Sequence, residues 1–232
     1  MTAGQLTLGV KLRDDAQFAN FHGDRNASAA ARVRAAVEQQ GSVQSIIVCG
    51  DEDTGKSHLL LAASHKAERS SRSAAYISMK ELLPFGPQAL EGLEMNQLVC
   101  LDDLQVVSGH EIWEEAVFHL YNRVTDAGGQ MLISLPEPPS QLPFRLPDLM
   151  SRLCQGLLIQ LGINRDDDCM RILKARAEKR GLVMNDDVSA FIIKRSSRRL
   201  AALLAVLDQL DDNSLRAQRR LTIPFVKSVM GW

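Results

Sequence analysis

The sequence predicts an α/β fold, a parallel sheet with covering helices, followed by a small all-helical region. Three observations carry this. Short apolar runs alternate with helix-period segments between residues 45 and 161. The stretch "GDEDTGKSH" (50–58) has the GxxxxGK[ST] spacing of a phosphate-binding loop. From Arg165 onward the pattern is helical only.

Taken in order, residues 1–25 show little helical period, whereas Asn26 to Gln40 are rich in good helix formers and open on a capping residue. "SIIVC" (45–49) is an apolar run that ends in Gly50, as a strand buried on both faces would when it feeds a glycine loop. "KSHLLLAASHKAER" (56–69) then reads as a helix with one apolar side. Residues 74–79, 97–103, 129–135 and 155–161 read as further strands, with an amphipathic helix over Glu111 to Thr125. The tail carries helices near 166–180, 186–195, 197–211 and 224–230. In the third, Leu200, Leu203, Leu204, Leu207 and Leu210 form one apolar stripe, so this region is expected to be a small bundle hinged at Leu161 to Arg165. The expected division is a tail (1–25), an α/β domain (26–163) and a helical domain (164–232).

The chain has 232 residues, a net charge of −1, 45% hydrophobic and 24% charged residues, which excludes disorder and any global field for nucleic acid or anionic membrane. No stretch reaches the length of a membrane span and the start lacks a secretion signal, so a cytoplasmic location and no membrane partner are expected. The cysteines Cys49, Cys100, Cys154 and Cys169 lack CxxC pairing, and the histidines lack an HExxH spacing. Neither a disulfide framework nor a metal site of protein origin is expected, and Cys49 and Cys100 read as small buried side chains in strands.

Gly50, Gly55, Lys56 and Ser57 supply the parts of a phosphate cradle, with Thr54 and His58 as flanking cofactor-binding positions. Glycines let backbone N–H groups wrap phosphate oxygens, the lysine neutralises charge and the serine hydroxyl meets Mg²⁺. Asp51, Glu52 and Asp53 lie inside the loop. Pointing into water about 8 Å from the phosphates, each would repel them by only roughly 0.5 kcal/mol, so binding should survive and ADP should be repelled less than ATP. "LVCLDD" ends a strand in Asp102 and Asp103, where one carboxylate can hold Mg²⁺ and the next orient a water. Ser134, ending another strand, reads either as a sensor of the terminal phosphate or as an ordinary strand-end serine. The basic run "KRSSRR" (194–199) has no interleaved aromatics and reads as a solvated helix face.

The acid pair, "EIWEEAVFHLYNRV" (111–124), "LPDLMSRL" (146–153) and "LDQLDDNSLRAQRRLTIPFVKSVM" (207–230) together resemble the Hda family of DnaA-related AAA+ proteins over essentially the whole chain. The resemblance implies an AAA+ P-loop NTPase core followed by an all-α lid. It also implies ADP or another nucleoside di- or triphosphate with Mg as cofactor, and DnaA and the DNA polymerase III sliding clamp (beta subunit) as partners. The position matching the family's arginine finger, pressed into the nucleotide site of DnaA, is Arg152; its bland alternative is a surface arginine after a helix. "QLTLGV" (5–10) is similar to the clamp-binding peptide at Gln5, Leu6, Leu8 and Val10, with Gly9 where proline is common. The lid arginine of relatives falls on Ala201, and Arg198, three residues earlier on nearly the same helix face, is the expected partial substitute. A helix-turn-helix domain would begin about where the sequence stops, so sequence-specific DNA binding is not expected; a homodimer is possible. An autonomous P-loop ATPase of helicase-loader type, and a scaffold with a vestigial site, stand as the alternatives.

Overall fold

The computed structural model describes residues 16–39, 43–197, 199–217 (backbone alone for 215–217) and 221–232. The segment carrying Gln5, Leu6, Leu8, Gly9 and Val10 lies outside the described residues, and so does Arg198. Strands β1 (Ser45–Cys49), β2 (Ala74–Ser78), β3 (Leu98–Asp102), β4 (Gln130–Leu135) and β5 (Leu157–Gln160) pair in parallel in the order β2-β3-β4-β1-β5. β1, β3 and β4 are buried along their whole length, which is why they read as continuous apolar runs rather than as alternations. β5 lies at an edge and buries only Ile159.

Successive side chains of each strand enter opposite layers. On one face α1 (Ala27–Glu38) and α2 (Lys56–Arg69) pack Val33, Val37, Leu59 and Leu60 onto Ile46, Val48 and Leu132. On the other, α3 (Met79–Leu82), α4 (Glu111–Asp126) and α5 (Pro147–Gln155) pack Met79, Val117, Leu120, Leu149 and Leu153 onto Ile47, Leu101 and Ile133. Cys49 and Cys100 are buried in the strands as expected, and burial pushes the Cys49 thiol up to about 11.

The sequence pattern assigns no helix to 147–155, yet the structure places α5 there. Pro147 starts it with a preset φ, and Leu149 and Leu153, four apart, are its buried side. Its entry is held by Glu114 of α4, whose fully buried carboxylate accepts backbone N–H groups of Gly109 (2.6 Å), Arg145 (2.8 Å) and Leu146 (2.7 Å). Gly156 then lies against Ser45 at the start of β1, so α5 delivers the chain to the N-terminal edge of the sheet. Residues 16–25, expected as part of a tail, pack on the domain: Ala16 is fully buried, His58 bonds the Gln17 carbonyl (3.0 Å) and His65 the Ala16 carbonyl (2.9 Å).

The lid comprises α6 (Asp166–Lys179), α7 (Asp186–Arg195), α8 (Leu200–Ala217) and α9 (Ile223–Met230). Leu203, Leu207 and Leu210 meet Val188, Ile192 and Phe225 in its core. Leu200 and Leu204, expected on the same stripe, line a cavity between lid and sheet instead. Among the described residues no helix is long and apolar enough to cross a membrane.

Candidate nucleotide-binding site

The loop after β1 runs through two left-handed positions, Asp53 (φ 61) and Gly55 (φ 101), before α2 begins at Lys56. Gly55 admits no side chain, because a Cβ there would stand 2.6 Å from the Phe21 ring. The N-terminus of α2 therefore faces a cavity of about 360 Å³ with its free N–H groups and positive dipole end, which favours an anion. Thr54, Gly55, Lys56, Ser57 and His58 line this cavity, as expected of a phosphate cradle. The volume is in the range that holds a small ligand.

Lys56 is 9% exposed and its Nζ donates to the carbonyls of Gly50 (2.5 Å) and Asp51 (2.7 Å). Burial lowers its ammonium below the ordinary lysine range, opposed by the charges of Asp103, Asp102 and Asp51. Facing it, Asp102 receives the Tyr76 hydroxyl (2.6 Å) and the Ser134 hydroxyl. Burial and then Asp102 push the Tyr76 phenol far up, so it remains a donor. Ser134 also accepts the Asp103 N–H (2.8 Å). It is fully buried behind the two acids and does not line the cavity, so its present task is to fix their orientation. Asp103 does line it, with Oδ2 on Lys80 Nζ (2.8 Å) and Oδ1 on Gln105 Nε2 (3.0 Å). Burial alone would raise the Asp103 carboxyl, but the hydrogen bonds from Lys80 and Gln105 outweigh it and hold the group below the usual carboxylate range.

The lid closes the other side. Arg176 of α6 donates to His58 Nδ1 (3.1 Å) while Nε2 lies 3.0 Å from the Gln17 carbonyl, an arrangement that a tautomer with its proton on Nε2 satisfies. Burial, then Lys179, lowers the pKa of His22, which also lines the cavity. Ala201 stands at the wall and offers only a methyl group. Arg199, two residues before it, turns to the loop: its Nη2 bonds Glu52 and its Nε approaches Asp53 Oδ2 (3.3 Å). Two of the three loop acids, expected to point freely to water, thus carry a cationic partner that screens their effect on a phosphate.

This clasp is exposed, with Arg199 63% and Glu52 79% accessible, so its direct worth is within about 1 kcal/mol and falls with salt. Arg199→Glu is expected to weaken nucleotide binding by roughly three- to tenfold at low ionic strength. Adding Glu52→Arg should restore most of it, and about 0.5 M salt should erase the difference. Titration with a fluorescent nucleotide reads all three variants.

Of the positions singled out from sequence, those from Thr54 to His58 and Asp103 converge on the cavity, with Gly50, Asp102 and Ser134 directly behind. Arg152 does not: it is exposed in the last turn of α5. Phe21, Lys80, Arg176 and Arg199 were missed; for Arg199 alone a signal existed, the acids in the loop needing a counter-charge.

Comparison with known proteins gives two family matches. The bacterial DnaA ATPase domain matches residues 12–160, and the Hda lid domain matches residues 166–230. Domain III of the replication initiation protein DnaA from Thermotoga maritima is similar with a TM-score of 0.81 at 19% identity, over 94% of this chain and 96% of that one. AMPPCP-bound DnaA from Aquifex aeolicus gives 0.72 at 22% identity, over 85% of this chain and 65% of that one. The RuvB Holliday junction branch migration motor of Thermotoga maritima gives 0.70 at 16% identity, over 95% and 73%. At these identities the solved structures speak to the fold alone.

Proposed function

Because the chain belongs to the bacterial DnaA ATPase family, as an AAA+ core followed by an Hda lid domain, we propose that it is a nucleotide-holding regulator of replication initiation that acts on DnaA in trans. The nucleotide is ADP, gripped by the amides around Lys56, with Mg²⁺ at the Ser57 hydroxyl and the Asp102 carboxylate, buried behind the cavity, acting on it through its charge. These oxygen donors suit a hard cation. Held between the loop and α6 and α8, the nucleotide braces sheet and lid into one shape. That shape presents Arg152 to the ATP of DnaA, while Gln5, Leu6, Leu8 and Val10 engage the sliding clamp.

The observation that carries this reading is the separation of the two functional ends. The cavity sits at the C-terminal ends of the strands, whereas Arg152 lies on the helix that returns to their N-terminal edge and makes no hydrogen bond or ion pair with any described residue. A guanidinium so placed is available to another molecule's site, as in a head-to-tail contact, which supports this reading. An intact Lys56, Ser57 and Asp103 around one cavity favours the second reading, an autonomous P-loop ATPase.

Two measurements on freshly purified protein separate them: the identity of the released nucleotide and steady-state phosphate release by the chain alone. ADP with slow release is expected. Fast turnover without DnaA points to the motor, and no nucleotide at all to a scaffold.

A further inference from the structure

We propose that Lys80 is a positioning residue that keeps this site a holder of nucleotide, by occupying the Asp103 carboxylate that would otherwise orient an attacking water. The inference rests on the nucleotide-holding reading above. β2 and β3 run in parallel register with Ser78 opposite Asp102, so the residues just past the two strand ends meet. Lys80 comes from the first turn after β2. Asp103 follows β3 in the left-handed conformation (φ 58), and the ammonium reaches its Oδ2 at 2.8 Å. Gln105 Nε2 holds Oδ1 at 3.0 Å, so each oxygen already carries a donor.

Both residues line the cavity together with Lys56, whose ammonium feels the charges of Asp103 and Lys80 alike. The pair therefore stands beside the lysine that would meet the terminal phosphates. Hydrolysis forms a bond from the water oxygen to the terminal phosphorus and breaks its bond to the bridging oxygen. The bond's electron pair goes to the departing diphosphate and the water proton to a carboxylate. Asp102 is committed to Tyr76 and Ser134. Asp103 is the remaining carboxylate at this strand end, and Lys80 claims the oxygen that would receive the water. Nothing in the packing requires the contact: the Lys80 side chain is 59% exposed, so its replacement does not threaten the fold.

The test compares the full chain with Lys80→Met and with Lys80→Met/Asp103→Asn, measuring ADP affinity by displacement of a fluorescent analogue and single-turnover phosphate release from ATP. Lys80→Met is expected to release phosphate about tenfold faster or more while still binding ADP, and the second substitution should remove the gain. An unchanged or slower rate in a Lys80→Met chain that still binds ADP overturns the proposal, and so does a double variant as fast as the single. Failure of the parent chain to bind ADP at all is a separate readout, and it would remove the nucleotide reading together with this one.

Discussion

Replacing Arg152 with alanine is expected to abolish stimulation of ATP hydrolysis by DnaA, a loss of about 10³-fold or more, while leaving bound nucleotide and clamp affinity unchanged. The size follows from what a guanidinium does beside a phosphoryl group in transit: it neutralises charge that develops only in the transition state, so its absence appears in rate rather than in binding. The specificity of the effect follows from position. Arg152 lies outside the cavity, is exposed in the last turn of α5, and bonds no described residue, so its removal breaks nothing within the chain. Arg152→Lys should also fail to restore the rate, because a point charge on a flexible stem does not reproduce the planar fork of an arginine. Single-turnover hydrolysis of ATP bound to DnaA, with clamp on DNA, provides the measurement; retained stimulation would refute the role.

Lys56→Ala carries the second large effect. Loss of a charged donor to phosphate oxygens removes about 3 kcal/mol, hence a fall of roughly a hundredfold in nucleotide affinity. The empty chain should keep its fold. Lys56 is buried at the cost of a lowered pKa, and what its ammonium gains from the Gly50 and Asp51 carbonyls offsets that desolvation. The expected pattern is therefore an unfolding midpoint close to the parent's without nucleotide, and loss of the rise of about 2.7 kcal/mol that a hundredfold excess of ligand over its Kd confers on the parent. Thermal unfolding with and without ADP reads both halves of this statement. A large destabilisation of the empty chain would mean that Lys56 serves the fold before it serves a ligand.

The sheet was legible in the sequence because burial on both faces writes continuous apolar runs, and β1 with its glycine loop was legible because a phosphate cradle demands fixed spacings. The lid was legible through the leucine stripe, though Leu200 and Leu204 on it turned to the cavity. What stayed hidden depends on contacts between residues far apart along the chain. The clasp joins Arg199 to acids 146 and 147 residues away, and no local period announces such a pair. Lys80 meets Asp103 only because two strands end in register. α5 is too short for its period to stand out, and it owes its entry to the buried Glu114 carboxylate of another helix. Ser134 was placed correctly at a strand end, but only the neighbouring strand shows that its hydroxyl is spent on Asp102 and Asp103.

The most direct test charges the chain with ADP or strips it of nucleotide, then measures single-turnover hydrolysis of ATP on DnaA in the presence of clamp-loaded DNA. The ADP-charged chain should accelerate hydrolysis and the stripped chain should not, with re-addition of ADP restoring the effect. Equal acceleration by both forms would contradict the claim that a nucleotide held around Lys56 shapes the surface that lends out Arg152.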